Sequence, residues 1–512
     1  MESFLERERR RCGLLLPIFS LPGPYGIGEL GPVALRWLDF LAECGQSLWQ
    51  VLPLNPAGHG HSPYQSSSAL ACDPLLIGLE GLQQLGLLEK SDFADFPRHS
   101  AAHIDHDSIG PPRRALLRKA IERFLAGGGD RDYELFCARE GSWLEDYSLF
   151  SVLSERFGST DWSRWPAAQR DREKLALERA REEWAAELAI RSAEQYFFQK
   201  QWEEVHKRAS ELAISIVGDM PIFVSQGSVD VWTRRELFDL DGAGSPRAVA
   251  GVPPDYFSAT GQRWGNPLYR WERHREEGYG WWIGRLRRAL SLFDAVRVDH
   301  FRAFADFWEI PAAEPTAVRG RWVEGPGEEF FVAMENALGP LPIIAEDLGI
   351  LSERAIALRD RLGLPGLRVF LFALDDCHED SPFLPENFVE NCVAHTGTHD
   401  NDTFAGALFG DGEKSLKRVE LLTKILPKCY GNLHPIDGAL AWLADSRARW
   451  LILPVQDVLH LASDARMNIP GTAEGNWTWR LRESELGTVD RDFFRRLGTR
   501  RGAQQDRLAD CH

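Results

Sequence analysis

The chain has 512 residues, of which 44% are hydrophobic and 26% are charged, and its formal net charge is −17. This length can bury a large core, either as one domain with insertions or as several units. The acidic balance argues against nucleic acid or an anionic membrane as a partner, since both require a basic surface. It favours a neutral or cationic ligand.

The N-terminal stretch "MESFLERERRRCGLLLPIFS" combines charges with an apolar run, but acidic residues interrupt the charges and the run is short. We therefore expect no signal peptide. No window approaches the roughly 18 consecutive apolar residues that a membrane span needs. The eight cysteines are scattered without a CxxC pair, which argues against a disulfide framework and against a zinc knuckle. These features predict a cytoplasmic protein.

Short apolar runs that end in glycine, proline or a polar cluster recur along the chain. There are eight, at 13–19, 48–54, 214–224, 295–301, 342–349, 366–374, 392–400 and 450–457. Amphipathic segments with helical spacing, such as 31–45 and 280–293, lie between most of them. Strands that are buried on both faces have continuously apolar sequences, as these do. The alternation predicts an α/β fold, namely a parallel (β/α)₈ (TIM) barrel.

Uneven spacing between the strands predicts insertions in a single catalytic domain that covers residues 1–512. Residues 58–213, after the second strand, are long enough for a mainly helical subdomain. Residues 238–278 are rich in glycine, proline and aromatic residues, and predict a long active-site loop. Residues 401–447 separate the last two strands. About 55 residues follow the eighth strand, too few for a C-terminal β-sandwich of roughly 100 residues.

Ionisable residues cluster where three of the strands end, which is the end at which TIM barrels build their active sites. They are Arg297, Asp299 and His300 on the fourth strand, Glu346 and Asp347 on the fifth, and His395, His399, Asp400 and Asp402 on the seventh. Since side chains alternate along a strand, Arg297 and Asp299 share a face about 7 Å apart, and the guanidinium should keep Asp299 ionised. Only one of Glu346 and Asp347 should face the barrel mouth.

Two carboxyl groups on adjacent strand ends, one ionised and one protonated, are the equipment of glycosidic bond chemistry. The alternative for each acid is a strand-end cap or a salt bridge. A metal site is the rival for "HTGTHD", but His395 and His399 lie about 13 Å apart on an extended strand, too far for one zinc unless the chain turns sharply at Gly397. We predict no metal and no cofactor.

Several longer motifs occur in one order over most of the chain. They are "GLLLPIFSLPGPYGIGELG" (13–31), "LWQVLPLNPAGHGHSPYQSSSALACDPLLI" (48–77), "GDMPIFVSQGSVDVW" (218–232), "PPDYFSATGQRWGNPLYRW" (253–271), "VRVDHFRAF" (296–304), "IIAEDLG" (343–349), "GLRVFLFAL" (366–374), "HTGTHDNDT" (395–403), "RMNIPGT" (466–472) and "GNWTWR" (475–480). Together they resemble the 4-α-glucanotransferases (amylomaltases, or disproportionating enzymes) of glycoside hydrolase family 77.

The resemblance implies a role for each matching residue. Asp299 would be the nucleophile, Glu346 the general acid and base, and Asp400 the stabiliser of the transition state. Substrate would be bound by Ser62, Tyr64, Asp219, Trp264, Arg297, His399, Asp375 and Asn468. The segment 375–382 is more acidic than the family pattern, which weakens the assignment of Asp375. Histidines before Ser62 leave the role of His61 open.

The implied activity is transfer of α-1,4-glucan segments to the 4-hydroxyl of another glucan or of glucose, with retention through a covalent glucosyl-enzyme. The alternatives are an α-glucan hydrolase on the same site, a metal-dependent barrel hydrolase and a non-catalytic glucan-binding protein. We further expect residues Tyr256, Phe257 and Trp264 to shield the intermediate from water. The protein is expected to be a monomer or a homodimer, with no nucleic-acid or membrane partner.

Overall fold

The computed structural model describes residues 10–97, 102–254, 258–375, 378–472 and 474–500. Tyr256 and Phe257 lie outside the described residues. In chain order the strands are β1 (Arg11–Leu15), β2 (Leu48–Gln50), β3 (Ser215–Pro221), β4 (Ala248–Val252), β5 (Gln262–Pro267), β6 (Ala295–Asp299), β7 (Asp306–Pro311), β8 (Arg321–Glu324), β9 (Ile343–Ala345), β10 (Gly366–Val369), β11 (Cys392–His395) and β12 (Trp450–Pro454). They form two sheets.

Eight strands form a parallel sheet in the order β10–β11–β12–β1–β2–β3–β6–β9, which curls until its two ends meet. At the seam, the Ala345 amide donates a hydrogen bond to the Pro365 carbonyl (2.9 Å). The carboxylate of Asp347 accepts a second one from the Leu367 amide (2.6 Å). A Cβ on Gly366 would lie 2.2 Å from that carboxylate, so the seam needs glycine there. The predicted (β/α)₈ barrel is confirmed.

Every barrel strand contributes to a compact inner core. Its members are Leu15, Leu48, Val217, Ala295, Ile344, Leu367, Val393, Trp450 and Ile452. Because side chains alternate along a strand, the residue two positions after a core member also points inward, one layer nearer the carboxyl end. This rule places Asp219, Arg297, Glu346 and His395 directly above the core.

The helices surround this barrel and fill its connections. They are α1 (Pro32–Glu43), α2 (Leu79–Gln84), α3 (His106–Ala126), α4 (Arg131–Phe157), α5 (Ala167–Arg170), α6 (Lys174–Glu183), α7 (Ala185–Glu211), α8 (Val229–Thr233), α9 (Trp271–Glu276), α10 (Gly280–Leu292), α11 (Glu328–Leu338), α12 (Glu353–Arg361), α13 (Phe370–Ala373), α14 (Phe404–Phe409), α15 (Glu413–Ile425), α16 (Pro435–Asp445), α17 (Val455–Val458), α18 (Glu483–Leu486) and α19 (Arg491–Arg500). Across the described residues, no helix combines the length and hydrophobicity required to span a bilayer.

The three long connections between barrel strands contain different secondary structure. The stretch 58–213 holds α2 to α7, and 401–447 holds α14 to α16. The stretch 238–278, expected to be a loop, contains β4 and β5. These two strands pair with β7 and β8 in an antiparallel sheet of order β5–β4–β7–β8, which the sequence did not predict. We call this sheet, 248–267 with 306–324, the cover sheet, because its residues border the mouth of the barrel.

Candidate active site

A cavity of about 1340 Å³ opens at the carboxyl ends of the barrel strands. Its wall includes ten of the eleven residues predicted for the site: Ser62, Tyr64, Trp264, Arg297, Asp299, Glu346, Asp375, His399, Asp400 and Asn468. Asp219 is the exception, because its side chain has no exposed surface. Residues more than 400 positions apart in the chain therefore meet in one space.

The floor of the cavity is built on neighbouring strands β3 and β6. Asp219 and Arg297 are partners across the β3–β6 ladder. Nη1 of Arg297 donates to both carboxylate oxygens of Asp219 (2.8 and 2.7 Å), and Nη2 donates to Oδ1 of Asp299 (3.0 Å). The Tyr64 hydroxyl donates to Oδ2 of Asp219 (2.7 Å). Asp219 thus lies outside the cavity wall and holds Arg297 and Tyr64 in place, and its role in binding sugar stays a prediction.

The environment of Asp299 only partly matches the expectation. The predicted contact with Arg297 is present. Burial nevertheless raises the pKa of Asp299 to about 6, although the Arg297 charge opposes the shift. The carboxyl still ionises near neutral pH, and Arg297 engages one of its two oxygens. The other oxygen is available for chemistry.

Glu346 follows β9, the next strand of the barrel after β6. Its Oε2 accepts a hydrogen bond from the His300 amide (2.7 Å) and its Oε1 accepts one from the Leu348 amide (3.0 Å). Burial raises the pKa of Glu346 to about 8, with a further contribution from the Asp299 charge and opposition from Arg297. Burial thus raises the pKa of Glu346 further than that of Asp299, which makes Glu346 the better proton carrier of this pair.

Asp347 has a separate, structural role, as strand alternation predicts. Glu346 lies two residues after the inner-core residue Ile344 and faces the cavity. Asp347 is turned to the barrel seam, where it is 7% exposed and pairs with Arg359 and Arg368. Only one member of the acidic pair is thus available for chemistry.

Asp400 follows β11, two strands around the barrel from β9. Its Oδ1 accepts a hydrogen bond from the Asn468 side chain (2.6 Å), and Oδ2 lies 3.5 Å from His399 Nε2. Arg466 donates to the Asp400 carbonyl (2.8 Å). The side chain of Asp400 is 42% exposed, so the carboxylate can meet a ligand in the cavity. Asn468, predicted to bind substrate, also orients this acid.

An aromatic group borders Asp400. The rings of Tyr64 and His399 stack with centroids 5.2 Å apart, and Trp477 contacts both at 5.7 and 5.9 Å. The Ser62 hydroxyl accepts a long hydrogen bond from the Tyr64 amide (3.3 Å), which fixes the turn before it. Trp477 belongs to the motif "GNWTWR" (475–480), but the sequence predicted no role for it. Its contacts depend on tertiary structure, so the sequence alone did not separate it from the other tryptophans.

The cover sheet contributes two tryptophans. Trp264 on β5 meets the His300 ring edge to face at 4.8 Å, next to the acids. Trp322 on β8 is 42% exposed and has the Arg302 guanidinium 3.6 Å from its ring centroid. Trp322 was missed because the strand that carries it was not predicted. Flat indole faces of this kind suit stacking on the apolar faces of sugars.

Asp375 lies at the margin of the cavity. Its carboxylate accepts two hydrogen bonds from Arg418 (2.7 and 2.8 Å) and lies 3.2 Å from the Lys414 ammonium. Both cations belong to α15. The carboxylate is therefore already paired with two cations.

The rival metal site at "HTGTHD" finds little support. His395 points into the barrel, is 2% exposed, and burial lowers its pKa to about 3. His399 is stacked on Tyr64. Within the described residues, the group of three metal-capable side chains is His434, Asp437 and His460, and it includes neither of them.

The chain is similar to known proteins of one family. The profile of glycoside hydrolase family 77, described as 4-alpha-glucanotransferase, matches residues 16–485. The 4-alpha-glucanotransferase of Thermus thermophilus is 46% identical over 93% of this chain and 96% of its own length. That of Aquifex aeolicus is 43% identical over 95% and 98%. The chain belongs to the 4-α-glucanotransferase family.

A solved member of the family shares the architecture. Amylomaltase from Streptococcus agalactiae, in complex with acarbose, superposes with a TM-score of 0.91 at 37% identity, covering 97% of this chain and all of that one. The resemblance that the motifs indicated is thereby confirmed across the length of the barrel. As in the 4-α-glucanotransferase family generally, the activity is that of a glycosyltransferase acting on α-1,4-glucans.

Proposed function

We propose that this protein transfers segments of an α-1,4-glucan to the 4-hydroxyl of another glucan or of glucose, by retaining double displacement at Asp299. The proposal rests on one observation above the others. Two acids on adjacent barrel strands share one cavity, where Asp299 contacts Arg297, Glu346 accepts hydrogen bonds from two backbone amides, and burial raises the pKa of Glu346 further than that of Asp299. That division supplies a nucleophile and a proton donor at the same pH.

In the first step, the glucan lies in the cavity with the cleaved linkage between the two acids. Glu346 donates its proton to the bridging oxygen while the free oxygen of Asp299 attacks the anomeric carbon. The glycosidic bond breaks, the shortened glucan leaves with the proton, and a covalent glucosyl-Asp299 ester remains. Asp400, which lines the same cavity, hydrogen-bonds the sugar hydroxyls as positive charge develops on the ring.

In the second step, the ionised Glu346 takes the proton from the 4-hydroxyl of an acceptor glucan. The acceptor oxygen attacks the anomeric carbon, and the bond to Asp299 breaks, which restores its carboxylate. Two inversions give net retention. The mechanism predicts the carboxyl groups about 5–5.5 Å apart, the spacing of retaining enzymes.

Transfer requires that an acceptor sugar, not water, reaches the ester. We assign this preference to the cover sheet and the 238–278 segment, where Trp264 offers an apolar platform beside the acids. Tyr256 and Phe257 belong to the same segment. Shortening that segment should raise the ratio of hydrolysis to transfer, and an unchanged ratio would contradict this assignment.

Incubation with maltotriose tests the reaction class. Transfer produces glucose together with maltopentaose and longer chains, whereas hydrolysis produces only glucose and maltose. A hydrolase on the same site is the second candidate, because the same two acids also activate water. A binding protein without activity would yield neither set of products.

The nucleophile is tested directly with α-maltosyl fluoride, whose fluoride leaves without a proton. The variant Glu346→Gln should then form the maltosyl ester but release it slowly, since no base activates the acceptor. Peptide mass spectrometry should find the maltosyl group on Asp299. An adduct on another residue would refute the assigned roles. We further propose that glucose can serve as the acceptor, that the protein is a monomer or a homodimer, and that it is located in the cytoplasm.

A further inference from the structure

A group of three metal-capable side chains lies outside the active-site cavity. His434 caps the N-terminus of α16, Asp437 lies in its first turn, and His460 follows α17. One ligand atom from each lies within 4.8 Å of the other two. His460 Nε2 is 3.0 Å from Asp437 Oδ1, and the two imidazole rings stack at 4.8 Å with an angle of 19°.

We propose that His434, Asp437 and His460 form a binding site for one divalent late first-row metal ion, for which Zn²⁺ is the probe. Two imidazole nitrogens and one carboxylate oxygen are ligands that zinc accepts at about 2.0–2.2 Å. The mixed nitrogen and oxygen set excludes Mg²⁺ and Ca²⁺, which take oxygen ligands. Water completes a tetrahedral shell.

Little movement is needed to close the site. Ligand atoms around a tetrahedral zinc lie about 3.3 Å apart, so the most distant pair must approach by about 1–2 Å. His434 is exposed, and its Nδ1 accepts only a long hydrogen bond from the Ile436 amide (3.4 Å). Turning its ring toward the ion gives up this weak hydrogen bond and the stack on His460. At His460 the ion replaces the hydrogen bond to Asp437.

The site is separate from catalysis. None of its three residues is among the described residues that line the cavity. A bound ion would join α16 to the segment after β12. Farther along that segment, Ser463 donates to Asp402 (2.9 Å) and Arg466 donates to the Asp400 carbonyl. The ion thus stabilises the support of one wall of the active site and takes no part in the chemistry.

The test is titration of the full-length, chelator-treated protein with ZnCl₂ by calorimetry, followed by thermal melting. We expect one zinc per chain, and a rise in Tm of about 2–3 °C at about 100 times Kd for a chain of this size. MgCl₂ should give neither signal. Absence of saturable zinc binding, or equal binding of Mg²⁺, would overturn the site.

Two variants keep the local backbone while removing a ligand. Asparagine is a good N-cap, so His434→Asn preserves the start of α16. His460 has φ = 52°, which asparagine also tolerates, so His460→Asn preserves that turn. Each should bind zinc at least about tenfold more weakly, since even second-shell changes cost 10–100-fold. The exposed His378→Asn is the matched control.

Wild-type affinity in both ligand variants would also refute the site, provided that their Tm without zinc equals that of the wild type. Glucan transfer by the stripped protein should stay within about twofold of its starting rate, since the ion is remote from the acids. If the stripped protein lost that activity, and if zinc restored it even in His460→Asn, the metal would instead lie in the active-site cavity. That outcome contradicts the proposed mechanism and the remote site alike.

Discussion

The floor and the cover of the active-site cavity are built by different rules. On the floor, Arg297 and Asp299 are parts of β6 and Glu346 directly follows β9, so the barrel ladder sets their positions. On the cover, Trp264 and Trp322 come from an antiparallel sheet whose strands are interleaved in sequence with β6. Of the charged floor residues, Arg297 is buried and Asp299 and Glu346 are partly buried, whereas Trp322 is 42% exposed.

This difference separates two functions. The floor changes the pKa values of its acids because the barrel core beneath it excludes water. The cover presents flat apolar surfaces at the mouth, where donor and acceptor chains enter. Changes on the floor should therefore alter the chemical step, and changes on the cover should alter acceptor binding and the choice between sugar and water.

The largest effect is expected on the floor at Asp299. Asp299→Asn removes the nucleophile but keeps the shape of the side chain and its contact with Arg297. The maltotriose disproportionation kcat should fall by about 10⁴–10⁶-fold, as for other covalent catalysts. Glucan binding measured by calorimetry should persist. A loss below tenfold would remove Asp299 from the mechanism.

Next in size is Glu346→Gln, which should lower kcat by about 10²–10⁴-fold, the usual contribution of general acid–base catalysis. In the wild type, kcat/KM should rise with pH through about 6 as Asp299 ionises and fall through about 8 as Glu346 loses its proton. The variant should lose the alkaline limb when assayed with α-maltosyl fluoride. A retained alkaline limb would show that another group carries the proton.

Stability supplies the control for this variant. The pKa of Glu346 is raised on folding from its ordinary 4.5 to about 8, so its stabilising contribution is complete below pH 4.5 and is lost as pH rises through 8. Glutamine does not titrate. Glu346→Gln should therefore melt at a higher temperature than the wild type above pH 8, which also shows that its low activity is not due to unfolding.

On the cover, Trp264→Ala should raise KM for the acceptor by about tenfold, equivalent to losing roughly 1.4 kcal/mol of stacking. The effect on kcat should be smaller, and the fraction of hydrolysis should increase. Trp322→Ala tests the outer part of the same sheet and should alter KM for long glucans more than for maltotriose. Val318→Ala, exposed in the connection between β7 and β8 and absent from the cavity wall, is the control. Equal effects from all three would mean general destabilisation of the sheet.

The smallest effect is expected at Asp375. Its carboxylate is already paired with Arg418 and Lys414, and partly exposed ion pairs contribute only about 0–1 kcal/mol. Asp375→Asn should change kcat/KM on maltotriose by less than about threefold. A hundredfold change would show that Asp375 leaves its two cations to bind sugar. Asp375 would then count among the functional residues of the floor.

Local patterns were sufficient for the floor. The eight apolar runs predicted the barrel, and alternation along β6 predicted that Arg297 and Asp299 meet. Alternation also predicted that only one of Glu346 and Asp347 faces the cavity, since residues two positions apart in a strand point to the same side of the sheet. The same reasoning could not detect that Asp219 is sealed beneath Arg297 and Tyr64, because this depends on contacts between three separate segments.

What the sequence determined by itself is the eight barrel strands, the family and the acids at the strand ends, because hydrophobic periodicity and motifs are local properties of the chain. Tertiary structure decided the rest. Burial raises the pKa of Asp299 although Arg297 touches it, and the cover sheet forms only when strands on either side of β6 pair. The raised pKa and the cover sheet both depend on segments that pack together and exclude water. Which segments pack together is a property of the assembled fold.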